Sequence, residues 1–249
     1  MPRIYIPTPS TKENKISITG EKARYLTTVL RCKKGDELFV FDGEGNCLRT
    51  NILKVYKREI CVEILEKFTC DTESPLNIIL VQGLLKGQKM DMVVQKATEL
   101  GVKEIIPVIT ERSQPRETRK VARWRTIAEE ASRQSGRSML PVVCDLKEFN
   151  QFLVQLKRNG EMNGFIFWEE GGISIKEAVS KMSLSPVRRV TNSPIHLVIG
   201  PEGGFTKEEV AIAKGKGFIV TTLGKRILRA ETAAISAITL IQFLLGDLG

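Results

Sequence analysis

NIILVQGLLKGQKMDMVVQKATELGVKEIIPVIT, residues 77–110, changes the character of the chain. NIILVQGLL is a continuous apolar run, the kind a parallel strand buried on both faces requires. DMVVQKATEL (91–100) carries apolar residues at helical spacing and is closed by Gly101. EIIPVIT (104–110) is a second buried strand. Downstream the alternation continues. Helices are predicted over Arg119–Ser135, Phe149–Arg158, Ile175–Met182, Lys207–Lys216 and from Ala230 onward. Between them lie the strands GFIFW (164–168), HLVIG (196–200) and FIVTTLG (218–224). Strands alternating with helices imply a parallel sheet covered on both faces, an α/β fold.

Upstream the pattern is different. IYIP, KISIT, ELFVFDG, CLRTNILKVY and ICVEILEKF are short, rich in β-branched and aromatic residues, and punctuated by Gly20, Gly35, Asp42-Gly43 and Lys57-Arg58. One helix is expected, Glu21–Arg31. Strands at about ten-residue spacing suggest a small barrel. The change near Glu73-Ser74-Pro75 divides the chain into modules of 1–72 and 73–249.

Composition narrows the function classes. Of 249 residues, 42% are hydrophobic and 27% charged, which excludes a disordered chain. Aromatics at 6% argue against a surface that reads bases mainly by stacking. No apolar run reaches the ~18 residues of a membrane span, and the first residues lack a signal pattern; a cytoplasmic protein is expected. Five cysteines without a Cys-x-x-Cys pair predict neither a zinc site nor a disulfide framework, but reduced, buried thiols. His196 is the only histidine, so a multi-histidine metal site is excluded and no metal is expected. It opens a strand, at the end opposite the reactive one, and reads as a core or surface residue. Net charge is +9 and the excess is densest between Arg112 and Arg137. Arginine dominates there, and its planar fork suits phosphate; a solvated helix face is the alternative.

Ligands of open α/β sheets bind outside the carboxyl ends of the strands. Two ends stand out. HLVIG runs into Pro201-Glu202-Gly203-Gly204-Phe205, then Thr206 as an N-cap with Glu209 as its capping-box partner. Glycines around a proline let backbone approach a ligand, although a plain tight turn has the same composition. FIVTTLG runs into the basic-apolar loop KRILR (225–229), followed by a helix whose first turns are small: Ala230, Ala233, Ala234, Ser236 and Ala237. Something packs close to that helix. No triphosphate loop and no dinucleotide fingerprint occurs, which disfavours a nucleotide-dependent oxidoreductase.

The sequence resembles the RsmE family of 16S ribosomal RNA uridine-N3 methyltransferases, within the SPOUT superfamily. The resemblance spans nearly the whole chain. It rests on IGPEGGFTKEE (199–209), LGKRILRAETAAISAI (223–238) and GDLG (246–249), with VQKATELGV (94–102), ERS (111–113), EEASRQSGR (129–137), Pro141, VLR (29–31) and FDG (41–43). It implies a SPOUT-type parallel sheet with a C-terminal trefoil knot, preceded by a PUA-like β-barrel that binds RNA. It also implies a homodimer acting on 16S rRNA of the small ribosomal subunit, with S-adenosylmethionine bound in the knot. The cofactor residues it implies are Trp168 and Glu169, then Ile199, Gly200, Pro201, Gly203 and Gly204, then Leu223, Gly224, Ile227, Leu228, Arg229 and Thr232. Backbone groups of the last loop would read adenine.

Uridine N3 is a weakly acidic imide and a poor nucleophile until it loses its proton. A carboxylate that accepts the proton, or an arginine that stabilises charge on the uracil oxygens, would help. Arg229 is the candidate for the second role. Glu202 is a candidate base, or a fastener of its loop. Glu231 reads as structural, holding the loop or pairing with an arginine. For RNA the expected contacts are Arg3, Arg31, the turn at Asp42-Gly43, and Arg112, Arg116, Arg123, Arg133 and Arg137. Two alternatives stay open: a SPOUT enzyme acting on transfer RNA, and a non-catalytic ribosome-assembly factor on the same fold.

Overall fold

A computed structural model describes residues 1–7, 9, 11, 12, 14–114, 116–156, 164–182 and 193–249. The end of the helix expected over Phe149–Arg158 lies outside the described residues. The chain divides into two compact units, Met1–Glu73 with Ser132–Leu140, and Ser74–Ala131 with Pro141–Gly249.

The first unit is a six-stranded sheet of β1 (Arg3–Tyr5), β2 (Thr11–Lys12), β3 (Lys15–Thr19), β4 (Glu37–Phe41), β5 (Asn46–Val55) and β6 (Glu59–Thr69). Its order is β1-β4-β5-β6-β3-β2, with β1 parallel to β4 and the other pairs antiparallel. Period-two alternation turns Ile16 and Ile18 of β3, Leu38 and Val40 of β4, and Ile60, Val62 and Ile64 of β6 into one apolar core. The expected helix at Glu21–Arg31 is only partly α-helical. α1 (Gly20–Arg24) opens into a wider π turn over Tyr25–Val29, and Arg31 ends it at φ 53°. The hydroxyls of Thr27 and Thr28 donate to carbonyls three and four residues back, a competition that loosens the helical ladder.

Two expectations are corrected in this unit. Cys47 and Cys70 form a disulfide, with Cα atoms 6.2 Å apart. The β5–β6 register sets Cys47 opposite Phe68, two residues before Cys70, a proximity that spacing along the chain does not reveal. Residues 132–140, placed by the sequence in the second module, pack in the first. There Glu73 accepts from Arg137 Nη2 at 2.9 Å and from the backbone N–H of Ser138 and Met139 at 3.0 Å each.

The second unit is an eight-stranded parallel sheet. Its strands are β7 (Ile78–Gly83), β8 (Glu104–Ile109), β9 (Val142–Val143), β10 (Lys147–Glu148), β11 (Gly164–Phe167), β12 (Ile173–Ser174), β13 (Ile195–Ile199) and β14 (Ile219–Thr222). The order is β10-β8-β7-β13-β11-β14-β12, with β9 also on β8. Alternation along the central strands feeds two cores. Leu80, Leu197 and Phe165 join one with α2 (Lys89–Glu99), α3 (Val121–Ser135), α5 (Ile175–Lys181) and α7 (Ala230–Leu245). Val81, Val198 and Ile166 join the other with α4 (Phe149–Gln155) and α6 (Lys207–Gly215). Helices therefore cover both faces, which is why these strands read as unbroken apolar runs. His196 is buried in the second core beside Phe152 and Phe218. No helix among the described residues is long and apolar enough to cross a membrane.

Candidate active site

Three loops at the carboxyl ends of β11, β13 and β14 wall a cavity of about 580 Å³. Of the residues the sequence assigned to the cofactor, Trp168, Glu169, Ile199, Gly200, Pro201, Gly204, Leu223, Gly224, Ile227, Leu228 and Arg229 all border it. Glu202 borders it as well. Gly203 and Thr232 do not: Gly203 faces Arg112, and Thr232 sits on the exposed face of α7. Lys89, Arg226 and Ala233 are wall residues that the sequence did not assign to the cofactor.

The glycine-rich loop is pressed onto β7. A β-carbon on Gly83 would lie 2.5 Å from Pro201 N, so only glycine can end that strand here. Gln82, fully buried, donates from Nε2 to the Gly200 carbonyl at 3.3 Å and to that of Gly83 at 3.0 Å. Gly204 holds φ +69°, and its N–H donates to the Pro201 carbonyl at 3.0 Å. A side chain there would collide with the Glu169 carboxylate. Thr206 and Glu209 then form the reciprocal capping box that opens α6.

Polar groups around the cavity divide into spent and unspent ones. Glu202 Oε1 lies 2.9 Å from Lys89 Nζ and accepts the Lys86 N–H at 3.1 Å. Burial resists its ionisation, but Lys89 and the backbone donors outweigh that and hold the carboxyl below its usual value. A carboxylate so engaged is a weak proton acceptor and a strong fastener. Arg229 is exposed at the N-cap of α7 and borders the cavity. The indole N–H of Trp168, in the cavity wall, is buried without a partner among the described residues. Glu231 is buried, and its Oε2 has no hydrogen-bond partner among the described residues.

Few of the expected RNA contacts point freely outward. Arg137 is 3% exposed and bound to Glu73, so it is withdrawn from any phosphate track. Arg3 lies over the rings of Phe39 and Phe41 and donates to the Arg137 carbonyl, and burial lowers its pKa. Asp42 accepts the N–H groups of Glu44 and Asn46, and Gly43 at φ +80° packs on Tyr5 and Leu140. These residues shape a turn. Arg133 stacks on Tyr25 and bonds its hydroxyl. Arg123 pairs with Asp91 at 2.9 Å while staying 62% exposed. Arg112 and Arg116 are exposed, although each also donates to a backbone carbonyl, of Gly203 and Glu111. Arg31 is exposed.

Comparison with known proteins agrees with this geometry. Residues 72–242 match the family model of an RNA methyltransferase domain, and residues 18–65 that of an RNA methyltransferase PUA domain. Ribosomal RNA small subunit methyltransferase E from Buchnera aphidicola is 32% identical over 99% of this chain and 95% of its own. The protein of that name from Bacillus subtilis is 31% identical over 91% and 89%. The crystal structure of a ribosomal RNA small subunit methyltransferase E from Neisseria gonorrhoeae, bound to S-adenosyl methionine, superposes with TM-score 0.89 at 35% identity over the full length of both chains. A Legionella pneumophila structure in complex with the bound cofactor SAM gives TM-score 0.86 at 34% identity, over 99% of this chain and 98% of its own.

Proposed function

This chain belongs to the ribosomal RNA small subunit methyltransferase E family, and on that footing we propose that it methylates N3 of a specific uridine in 16S rRNA. It is an S-adenosylmethionine-dependent ribosomal RNA methyltransferase. The observation that carries the reading is the cavity itself. Three loops at strand carboxyl ends, with Gly200 and Gly204 among their lining residues, meet an apolar wall of Ile199, Leu223 and Leu228. Trp168 and Glu169 complete that wall at the end of β11. We assign the first unit to RNA binding and the second to methyl transfer.

When bound, S-adenosylmethionine supplies an activated methyl with its leaving group already attached. The protein must place the uracil edge and manage one proton. Arg229, at the cavity rim, stabilises the negative charge that spreads over the uracil oxygens as N3 gives up its proton. Glu202 keeps the glycine-rich loop closed against Lys89 and Lys86. Among the arginines, the exposed Arg31, Arg116 and Arg123 are the phosphate contacts of this proposal, with the half-buried Arg133, held on Tyr25, beside them. N3 lies on the Watson–Crick edge, so the target uridine is unpaired when it reacts.

The trefoil knot and the homodimer belong to the same proposal. β14 lies beyond β11 in the sheet, yet α7 returns to pack on α2, β7 and β13. Ala230, Ala233, Ala234 and Ala237 give that return the close clearance a threaded chain needs. Glu231 is the one charged residue in the 16-residue α7, and Phe243 is 60% exposed there. A second copy of the chain is the cover we assign to that face. The cytoplasm, where ribosomal subunits are assembled, is the expected location.

The test is methyl transfer from labelled S-adenosylmethionine to small subunits lacking the modification, with transfer RNA in parallel, followed by nucleoside identification. N3-methyluridine from the subunit alone is expected. A different nucleoside, or label in transfer RNA, overturns the assignment.

A further inference from the structure

Gly203 carries the letter of the glycine-rich motif but stands outside the cavity. A β-carbon there would lie 2.9 Å from Arg112 Cβ and 3.1 Å from the Arg112 carbonyl oxygen. The side chain of Arg112 curls over the same residue, and its Nη1 donates to the Gly203 carbonyl at 3.2 Å. Arg112 belongs to the loop after β8, two strands away from β13 in the sheet. The motif residue therefore makes room for a neighbouring loop, and the cofactor pocket gains nothing directly from its missing side chain.

A second tie joins the same two loops. Glu209 is 5% exposed, and its Oε2 accepts the Thr206 N–H at 3.0 Å, as a capping box requires. Its Oε1 accepts the Glu111 N–H at 2.9 Å. One buried carboxylate thus serves the start of α6 and the residue next to Arg112. The β8 loop is stiff on its own account. Thr110 and Ser113 are buried and bonded to each other through backbone and hydroxyl groups at 3.0–3.1 Å. Arg116 adds a bond to the Glu111 carbonyl.

We propose that Arg112 is a positioning residue of the cofactor loop, acting through Gly203, and that the loops after β8 and β13 move as one body. Its bond to the Gly203 carbonyl orients the peptide plane that joins Gly203 to Gly204, and Gly204 borders the cavity. Fixing that plane before the ligand arrives removes part of the ordering cost of binding. This inference rests on the methyltransferase reading and moves Arg112 from the phosphate track to the cofactor side of the reaction.

The experiment compares wild type with Arg112→Ala, Arg112→Lys and Glu209→Gln in three readouts. These are amide hydrogen exchange over 202–206, calorimetric affinity for S-adenosylmethionine, and the salt dependence of affinity for a small-subunit RNA fragment. Arg112→Ala is expected to speed exchange at Gly204 and Phe205, weaken the cofactor roughly tenfold, and leave the salt slope unchanged. Arg112→Lys, still able to donate to one carbonyl, recovers part of the loss, and Glu209→Gln loosens the same amides. Unchanged exchange and cofactor affinity, with a salt slope reduced by about 0.7–0.9, would make Arg112 a phosphate contact and overturn the inference. If Arg112→Ala fails to fold, Gly203→Ala perturbs the junction while keeping the arginine, and unchanged exchange in that variant also overturns it. Wild-type protein without cofactor affinity would count against the methyltransferase reading, while hydrogen exchange still decides the latch.

Discussion

Gly204 and Glu169 come from different strand ends and touch across the cavity wall. Gly204 holds φ +69°, and any β-carbon on it would enter the Glu169 carboxylate. Both a backbone angle and a volume are reserved for glycine at one position. Gly204→Ala therefore combines strain with a collision. We expect at least tenfold weaker S-adenosylmethionine binding by calorimetry, and a stability loss of about 1–3 kcal/mol in denaturant melts.

Glu202 is held below the usual carboxylate pKa, against burial, by Lys89 and the Lys86 N–H. A depressed folded-state pKa contributes stability above the unfolded value of about 4.5 and loses it as pH falls through the lower, folded value. The glycine-rich loop should thus stay fastened at neutral pH and loosen only in acid. Lys89→Met is expected to move the Glu202 titration, followed by carboxyl NMR, upward. An unmoved titration would refute the pairing.

Arg229 faces the cavity from the N-cap of α7. With S-adenosylmethionine saturating, Arg229→Ala should lower the single-turnover rate by about 10²–10³, the size seen when one donor to a developing oxyanion is removed. Glu202→Gln should stay within roughly tenfold of wild type, because a fastener is not the proton acceptor. A larger loss for Glu202→Gln, recovered at high pH, would reverse these roles.

Arg137 and Glu73 form an ion pair in which the arginine is 3% and the glutamate 14% exposed. Removing one partner strands the other in a poorly solvated site. Arg137→Ala should cost about 3 kcal/mol in denaturant melts. At a temperature where it remains folded, its RNA-binding salt slope should equal that of wild type.

Cys47 and Cys70 are joined, and Cys32, Cys61 and Cys144 are free. Thiol titration in denaturant without reductant should count three thiols. Cys70→Ser is expected to lower the stability of the first unit by about 3 kcal/mol, the loop-closure value for a span of this length. A count of five would remove the disulfide.

The longer strands and helices of the second unit, and which of those strands are buried on both faces, were legible in the chain alone; the π turn after α1 and the two-residue strands β2, β9, β10 and β12 were not. Apolar runs such as 78–83 and 195–199 and the capping pair Thr206 and Glu209 are local patterns, and local geometry determines them. The motif loops were legible too, because glycine and proline act on their own backbone. Partnership across the sheet was not. The sequence placed Gly203 at the cofactor and Arg137 on RNA; packing set the first against Arg112 and buried the second on Glu73. Cys47 and Cys70 meet only through the β5–β6 register. The physical reason is range. Backbone propensity and apolar period are properties of neighbouring residues, whereas burial, ion pairing and steric exclusion arise only when segments far apart in the chain compete for the same space.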